Sequence, residues 1–488
     1  MGESIKTFLG IDLGTSGLRA LLVDQDGRTV GSAQAHYAVT NPHSGWSEQD
    51  PADWVAACIS AIADLNRKHG PEMAQLAAIG TAGQMHGATL LDAEGAVLRP
   101  CILWNDTRAH AEAATLDALP EFREVSGNIV FPGFTAPKLA WVKNNEPDIF
   151  ARVATVLLPK DYLSFWLTGA RVSDMSDSAG TSWLDVGARD WSDPLLAQSG
   201  MTASQMPRLV EGSEIAAPVT AERSAELGLP DGVLVVGGAG DNAAAACGIG
   251  ALNEGQGFVS LGTSGVMLAG KSGYAPLPSS AVHTFCHAVP NRWYQMGVIL
   301  SATDSLNWLS RTLGKPAADL AGLLDGPLRA PGSVTFLPFL SGERTPHNDS
   351  HIRGALLGLD HATGPEALVQ AVFEGVAFAL RENLDALRAT GTELASAMAI
   401  GGGAKSDYWL QLIATVLNIP LDLPEDGENG ATMGAARLAI CGATGADPDT
   451  VMTQPAIARR ISPNPEHIAA YEQAYQAYRT VYPAIKVL

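Results

Sequence analysis

Leu13-Gly14-Thr15-Ser16-Gly17 recurs as Leu261-Gly262-Thr263-Ser264-Gly265, 248 positions further along a chain of 488 residues. Each copy lies between two apolar runs of strand length, Thr7 to Ile11 and Leu18 to Val23 around the first, Gly257 to Ser260 and Val266 to Ala269 around the second. A short polar stretch with glycines between such runs marks a hairpin turn. Five matching residues could arise by chance in a chain with 51 glycines. Two matched hairpins half a chain apart read better as a duplicated domain, with an expected division into residues 1–252 and 253–488.

Strand and helix signals alternate through both halves, which predicts an α/β fold with helices covering each sheet. Between the first hairpin and the strand-like Leu76 to Gly80, Asp50 is placed to cap a helix. Pro51 falls in its first turn, Trp54, Cys58, Ile62 and Leu65 along one face, and Gly70 at its stop.

Lys and Arg number 31 against 51 Asp and Glu, a formal charge of -20 that argues against nucleic acid or an anionic membrane as partner. Such a surface also repels free ATP, so a bound nucleotide needs its charge met locally, by Mg²⁺ and backbone N–H groups. No apolar run reaches the length of a membrane span, and no targeting segment is expected before Phe8. Five scattered cysteines suggest reduced thiols and a cytoplasmic protein. A homodimer is compatible with the sequence, which does not determine oligomeric state.

The glycines of the two turns let the backbone approach a ligand, and their N–H groups and hydroxyls can donate to phosphate. Gly14, Thr15, Gly262 and Thr263 are therefore candidate nucleotide contacts, although ordinary hairpin turns carry the same residues. Asp12 precedes the first turn where the second has Ser260. A carboxylate beside phosphate calls for an intervening cation, so Asp12 is the candidate Mg²⁺ partner, through waters; a turn-stabilising Asp is the plainer alternative. Gly265 to Ser272 matches the P-loop pattern in letters only, because its middle is an apolar strand and Pro276 and Pro278 follow where a helix should begin.

Val233 to Val236 runs into Gly237-Gly238-Ala239-Gly240 and then Asp241-Asn242, at a strand's end and a helix's start. Asp241 there can take the proton of a sugar hydroxyl as phosphate transfers, or simply cap the helix. Met85 and His86 follow a strand, where polar groups meet small ligands, and Trp104 offers an aromatic wall. His86 suits a structural role nearly as well, and Asp106 with Arg108 suits a structural ion pair. Gly401, Gly402 and Gly403 end the strand Ala397 to Ile400, with Ser406 as the next cap. Their bare backbone can admit an adenine, though a tight turn needs glycine anyway. His283, Cys286 and His287 read as core rather than as a zinc site.

Together Gly10 to Ser16, Gly83 to Gly87, Trp104 to Asp106, Gly133 to Leu139, Leu158 to Tyr162, Gly240 to Asn242 and Ser341 to Asn348 resemble the FGGY family of carbohydrate kinases along the whole chain. The resemblance implies two actin-like, ribonuclease H-like ATPase domains around a cleft, the first binding sugar and the second ATP. It implies Asp241 as catalytic base, Met85, His86 and Asn242 on the sugar, and Asp12 near metal and phosphates. Gly262 and Thr263 would take phosphate, and Gly401 to Gly403 the adenosine side. D-xylulose is the implied acceptor, at its 5-OH, with D-xylose catabolism as the setting. Ribulose, xylitol or gluconate remain rivals within the class, and an actin-fold ATPase or a silent sugar sensor outside it. Ala367 departs from the family's second signature, where a polar residue is expected.

Overall fold

In the computed structural model, which describes residues 6–425 and 430–486, the first pentapeptide joins β1 (Thr7–Leu13) to β2 (Gly17–Asp24) as an antiparallel hairpin. Phe8, Leu9, Ile11 and Leu13 are all fully buried, so β1 is covered on both faces and reads as one apolar run. β3 (Thr29–His36) pairs antiparallel with β2, and β4 (Leu76–Gly83) lies parallel to β1. Much later in the chain come β5 (Ile215–Pro218), β6 (Leu234–Val236) and β7 (Ala239–Gly240). The sheet order is β5-β6-β4-β1-β2-β3, with β7 also beside β4.

The second pentapeptide joins β8 (Gly257–Leu261) to β9 (Gly265–Lys271) in the same way. With β10 (His283–Cys286), β11 (Trp293–Ile299), β12 (Ala397–Ile400), β13 (Leu421–Pro424) and β14 (Ile457–Ile461), the order is β10-β11-β9-β8-β12-β13-β14. Antiparallel β3-β2-β1 followed by parallel β4 and β6 thus repeats as antiparallel β11-β9-β8 followed by parallel β12 and β13. The five-residue echo extends to whole sheets. The apparent P-loop is strand β9, and its Lys271 Nζ meets Glu254 Oε1 at 2.6 Å.

Helix α1 (Pro51–Lys68) starts where expected, with Asp50 Oδ1 accepting from Ala52 N, and it buries Trp54, Cys58, Ile62 and Leu65 against the first sheet. Its end differs slightly: His69 caps it, and Gly70 opens a further single turn, Gly70–Met73. The remaining helices used below are α2 (Asp241–Ile249), α3 (Thr303–Leu313), α4 (Pro365–Ala389), α5 (Asp407–Leu417) and α6 (Gly430–Thr444). Ala367 lies in the first turn of α4.

Helices α2 and α6 cross closely between the sheets. A Cβ at Gly434 would stand 1.8 Å from Ala244 O, and one at Gly10 of β1 would stand 1.9 Å from Thr432 O. Glycine is what permits each approach. One apolar cluster consequently holds Phe8 and Ala78 of the first sheet, Ala244 and Ala435 of the two helices, and Phe258, Leu268 and Met398 of the second sheet. The chain changes sheet near residue 253, yet α6, from beyond that point, packs on first-half strands. All five cysteines are free and buried. Among the described residues no helix is long and apolar enough to cross a membrane.

Candidate active site

Strands β1, β4 and β7 end side by side, with Asp12 opposite Ala82, Leu13 opposite Gly83, and Gly83 opposite Gly240. The parallel ladder therefore delivers three groups to one edge: Asp12, the turn Gln84-Met85-His86, and Asp241 at the first position of α2. Ligands commonly bind beyond the carboxyl ends of parallel strands. Asp241 Oδ1 accepts from Asn242 N at 2.6 Å and Asn242 Nδ2 at 2.8 Å. Burial and then the charge of Asp12 push the Asp241 carboxyl up to about 7, against the two Asn242 bonds. Burial likewise lifts Asp12 to about 6, with Arg19 opposing, and Asp12 Oδ1 is buried without a hydrogen-bond partner.

His86 sits beside them with a left-handed backbone, φ 69°. Its carbonyl is pinned by Lys138 Nζ at 2.8 Å and Thr135 Oγ1 at 3.1 Å. Nδ1 lies 2.7 Å from Gly180 O. A carbonyl can only accept, so Nδ1 carries the proton and Nε2 is left as an acceptor. Burial drives the imidazole down to about 3, so the ring is neutral; the Gly180 bond opposes this, and the Lys138 and Arg344 charges add to it. The ring stacks on Phe134 at 4.3 Å and meets Phe285 of the second half edge-on at 6.3 Å. Met85 is buried, with Tyr294 Oη, also of the second half, 3.9 Å from its sulfur.

The first pentapeptide is braced from several sides. Thr15 Oγ1 donates to Gln84 Oε1 at 3.2 Å and accepts from Trp104 Nε1 at 3.0 Å. Gln84 Nε2 reaches Gln49 Oε1 at 2.8 Å, and Gln49 Nε2 returns to Thr15 O at 2.7 Å. Gly14 N bonds Gly17 O, and Gly14 O accepts from Tyr37 Oη. The Thr15 hydroxyl and the Trp104 N–H are thus engaged with protein. Asp106 and Arg108 form a buried ion pair at 2.7 Å, with the guanidinium 3.6 Å over Trp46, in keeping with their structural reading.

The second pentapeptide is held by its carbonyls. Thr303 N and Oγ1 donate to Gly262 O at 3.0 and 2.8 Å, and Ala302 N donates to Thr263 O at 2.8 Å. Thr263 itself is exposed. Alongside, Gly401 adopts φ 90° and packs where a Cβ would lie 2.9 Å from the Leu261 backbone. Gly402 and Gly403 line a cavity of about 560 Å³ with Thr303, Leu306, Phe373 and Trp409. Ser406 caps α5 as expected, accepting from Trp409 N. The candidate residues therefore fall into two groups. Asp12, Gly14, Thr15, Met85, His86, Trp104, Asp241 and Asn242 gather at the first sheet, and Gly262, Thr263, Gly401, Gly402 and Gly403 at the second.

Sequence reasoning missed a buried group behind Asp241. Lys160 Nζ lies 2.5 Å from Asp161 Oδ1 and 2.8 Å from Asp174 Oδ1, and donates to Gly237 O at 3.2 Å. Asp174 Oδ2 accepts from Ser176 Oγ, which in turn accepts from Gly240 N. The Gly237–Gly240 segment is thereby held from two sides immediately before Asp241. Asp161, Asp174 and Asp177 are close enough together to hold a metal ion, but the Lys160 ammonium occupies that role. Lys160 and Asp161 lie in the stretch Leu158 to Tyr162 that carries the resemblance, but no spacing in the sequence joins them to Asp174 or to Gly237. His283, Cys286 and His287 are buried, and the Asp trio is the only metal-spaced cluster among the described residues.

Two like lobes, each offering a glycine turn at the ends of parallel strands, define the actin-like class of two-domain ATPase folds. Residues 7–248 match the N-terminal domain of the FGGY family of carbohydrate kinases, and residues 257–443 match its C-terminal domain. The chain belongs to the FGGY family of carbohydrate kinases. It is 44% identical to the xylulose kinase of Escherichia coli K12 over 97% of this chain and 98% of that protein. A crystal structure described as a xyloylose kinase from Brucella ovis superposes with a TM-score of 0.97, at 59% identity over 99% of each chain. A gluconate kinase from Lactobacillus acidophilus superposes at 0.92, with 26% identity, over 99% of this chain and 98% of that one.

Proposed function

We propose that this chain is a xylulose kinase, transferring the γ-phosphoryl group of ATP to the 5-OH of D-xylulose. The observation that carries this reading is Asp241, at the first turn of α2 and directly after Gly240, which packs against Met85, with a carboxyl whose burial raises it to about 7. A base of that strength is matched to neutral pH. Both Asn242 bonds fall on Oδ1, which leaves Oδ2 for the substrate hydroxyl. As the sugar oxygen bonds to phosphorus and the bond to the ADP oxygen breaks, the hydroxyl proton passes to Asp241. The neutral His86 Nε2 accepts from a second sugar hydroxyl, Met85 and Trp104 wall the pocket, and Asn242 orients the base.

The first half, residues 1–252, binds the sugar in this reading, and residues 253–488 bind ATP. Gly262 and Thr263 serve the phosphates together with the Thr15 N–H and with Gly14, which lacks a side chain to keep them away, and the cavity over Gly401, Gly402 and Gly403 takes the adenosine side. Its size and its Leu306, Phe373 and Trp409 lining suit a flat apolar ring. Asp12 fits a Mg²⁺ partner, since its buried Oδ1 has no protein hydrogen bond. Bound there, Mg²⁺ would neutralise phosphate charge. Buried, unpaired thiols suit the cytoplasm.

The xylulose kinases among its relatives favour that acceptor, and the likeness to a gluconate kinase keeps gluconate in the test. ADP release measured by a coupled assay with D-xylulose, D-ribulose, xylitol and gluconate should be fastest with D-xylulose. A higher kcat/KM on any other sugar overturns the acceptor. Sugar binding without ADP release from any of them would make the chain a sensor.

A further inference from the structure

The segment Ser341 to Asn348 has no role in the reaction described so far. It belongs to the second half, and it is anchored firmly. Glu343 Oε1 accepts from Leu300 N at 3.1 Å and from Arg344 N at 2.7 Å. Thr345 N bonds Val298 O, Thr345 Oγ1 donates to Ala281 O at 2.9 Å, and it accepts from Val298 N at 3.1 Å. Glu343 and Thr345 are buried on either side of Arg344. The direction of Arg344 is therefore set by the β11 end of the second sheet.

That direction is across to the first half. The Arg344 guanidinium lies 4.7 Å from the ring centre of Phe131. Phe131 packs on Phe134 at 5.3 Å and on His283 at 5.2 Å, and Phe134 is the ring stacked on His86. The charge is near enough to depress both His86 and His283. Other sheltered arginines are engaged: Arg99 has Glu48 and Glu146, Arg108 has Asp106, Arg189 has Glu211, and Arg437 donates to the carbonyls of Cys247, Gly248 and Thr453. Among the described residues the Arg344 guanidinium has no ion pair and no hydrogen bond. The side chain is half-buried and rests on the Phe131 ring, so its donors are free to meet a ligand.

Chemistry suggests the use, on the reading that the acceptor is a 2-ketopentose phosphorylated at O5. In the five-membered ring form of such a sugar O5 is the ring oxygen, so only the open chain has a free 5-OH. The open chain carries a free C2 carbonyl, which accepts hydrogen bonds and donates none. Asp241 and the Nε2 of His86 are acceptors and cannot serve it. A guanidinium, which only donates, can. We propose that Arg344 is a specificity-determining residue: it reaches from the second half into the His86 pocket and donates to the carbonyl oxygen of the open-chain ketose.

Xylitol is the matched probe, because it has the same chain with the carbonyl reduced to a hydroxyl that another residue can satisfy as well. Calorimetric binding of D-xylulose and xylitol without nucleotide, together with steady-state kinetics, should be compared for the native protein, Arg344→Met and Arg344→Lys. Loss of a hydrogen bond from a charged donor predicts about 10- to 100-fold weaker xylulose binding in Arg344→Met, a much smaller change for xylitol, and an unaltered KM for ATP. Arg344→Lys keeps the charge and should recover part of the difference; far-UV dichroism and thermal unfolding check that both variants fold. Native turnover of xylulose with an unchanged xylulose-to-xylitol ratio in Arg344→Met, or a loss confined to the KM for ATP, overturns this inference and leaves the proposed function standing. Absence of native activity on xylulose overturns both.

Discussion

The same five residues, Leu-Gly-Thr-Ser-Gly, meet different fates in the two halves. In the first turn the threonine hydroxyl bridges Trp104 and Gln84, the Gly14 carbonyl is tied to Tyr37, and a charged Asp12 stands one residue before the pentapeptide. In the second, the carbonyls of Gly262 and Thr263 are tied to the start of α3, Thr263 is exposed, and the residue before the pentapeptide is the neutral Ser260. Duplication supplied one turn geometry; the neighbours made one copy part of a braced, acidic pocket and left the other open beside a cavity. The difference predicts a division of labour, with proton chemistry and sugar on one side and nucleotide on the other.

The severest test of that division is Asp241→Asn. Loss of a general base should lower kcat by about 10²- to 10⁴-fold while the KM values for sugar and ATP stay within a few fold; a loss in ATP affinity instead would erase the division. Next comes pH. With Asp241 raised from 3.8 to about 7, log kcat/KM should fall with unit slope as the pH drops below about 7, and the residual activity of Asp241→Asn should lose that limb. Stability moves in the opposite sense. The folded state favours the neutral carboxyl, so that preference helps the native protein in acid and is lost as pH rises through about 7. Ligand-free Asp241→Asn should therefore gain in Tm over the native protein between pH 4 and pH 7 and keep the gain above it.

A matched pair of substitutions sharpens the comparison of the turns themselves. Thr15→Val removes the hydroxyl that serves Gln84 Oε1 and the Trp104 N–H, at a cost of about 1–3 kcal/mol, and should lower Tm and raise the sugar KM. Thr263→Val should leave Tm in place and raise the KM for ATP. Equal effects of the two on ATP would make the turns equivalent. The smallest effect is expected from Gly402→Ala, whose Cβ would have nothing within 4 Å. Tm should hold while the KM for ATP rises a few fold, and an unchanged KM would take Gly402 out of the nucleotide site.

Much of this was legible along the chain because it is local. A hairpin is signalled by its turn residues and flanking apolar runs, and a helix start by Asp50 and Pro51, within a span of about ten residues. The placement of Asp12 and Asp241 at strand ends follows from the same signals. The repeat was visible because its two turns kept their letters. Less is visible of what each letter touches: Thr15 reads as a phosphate contact, and its hydroxyl is bonded to Gln84 across 69 positions.

The sequence by itself determined the duplicated α/β lobes, the two glycine turns and the carboxylates at the strand ends, since periodicity and turn chemistry act between near neighbours. Only the tertiary structure decided that Lys160 and Asp174 steady the backbone before Asp241 and that α6 lies on the strands of the other half. It alone, too, brought Arg344 to Phe131 from more than two hundred residues away. Those outcomes depend on how whole sheets and helices pack, and the free energy of that packing is spread over residues that carry no local mark of it.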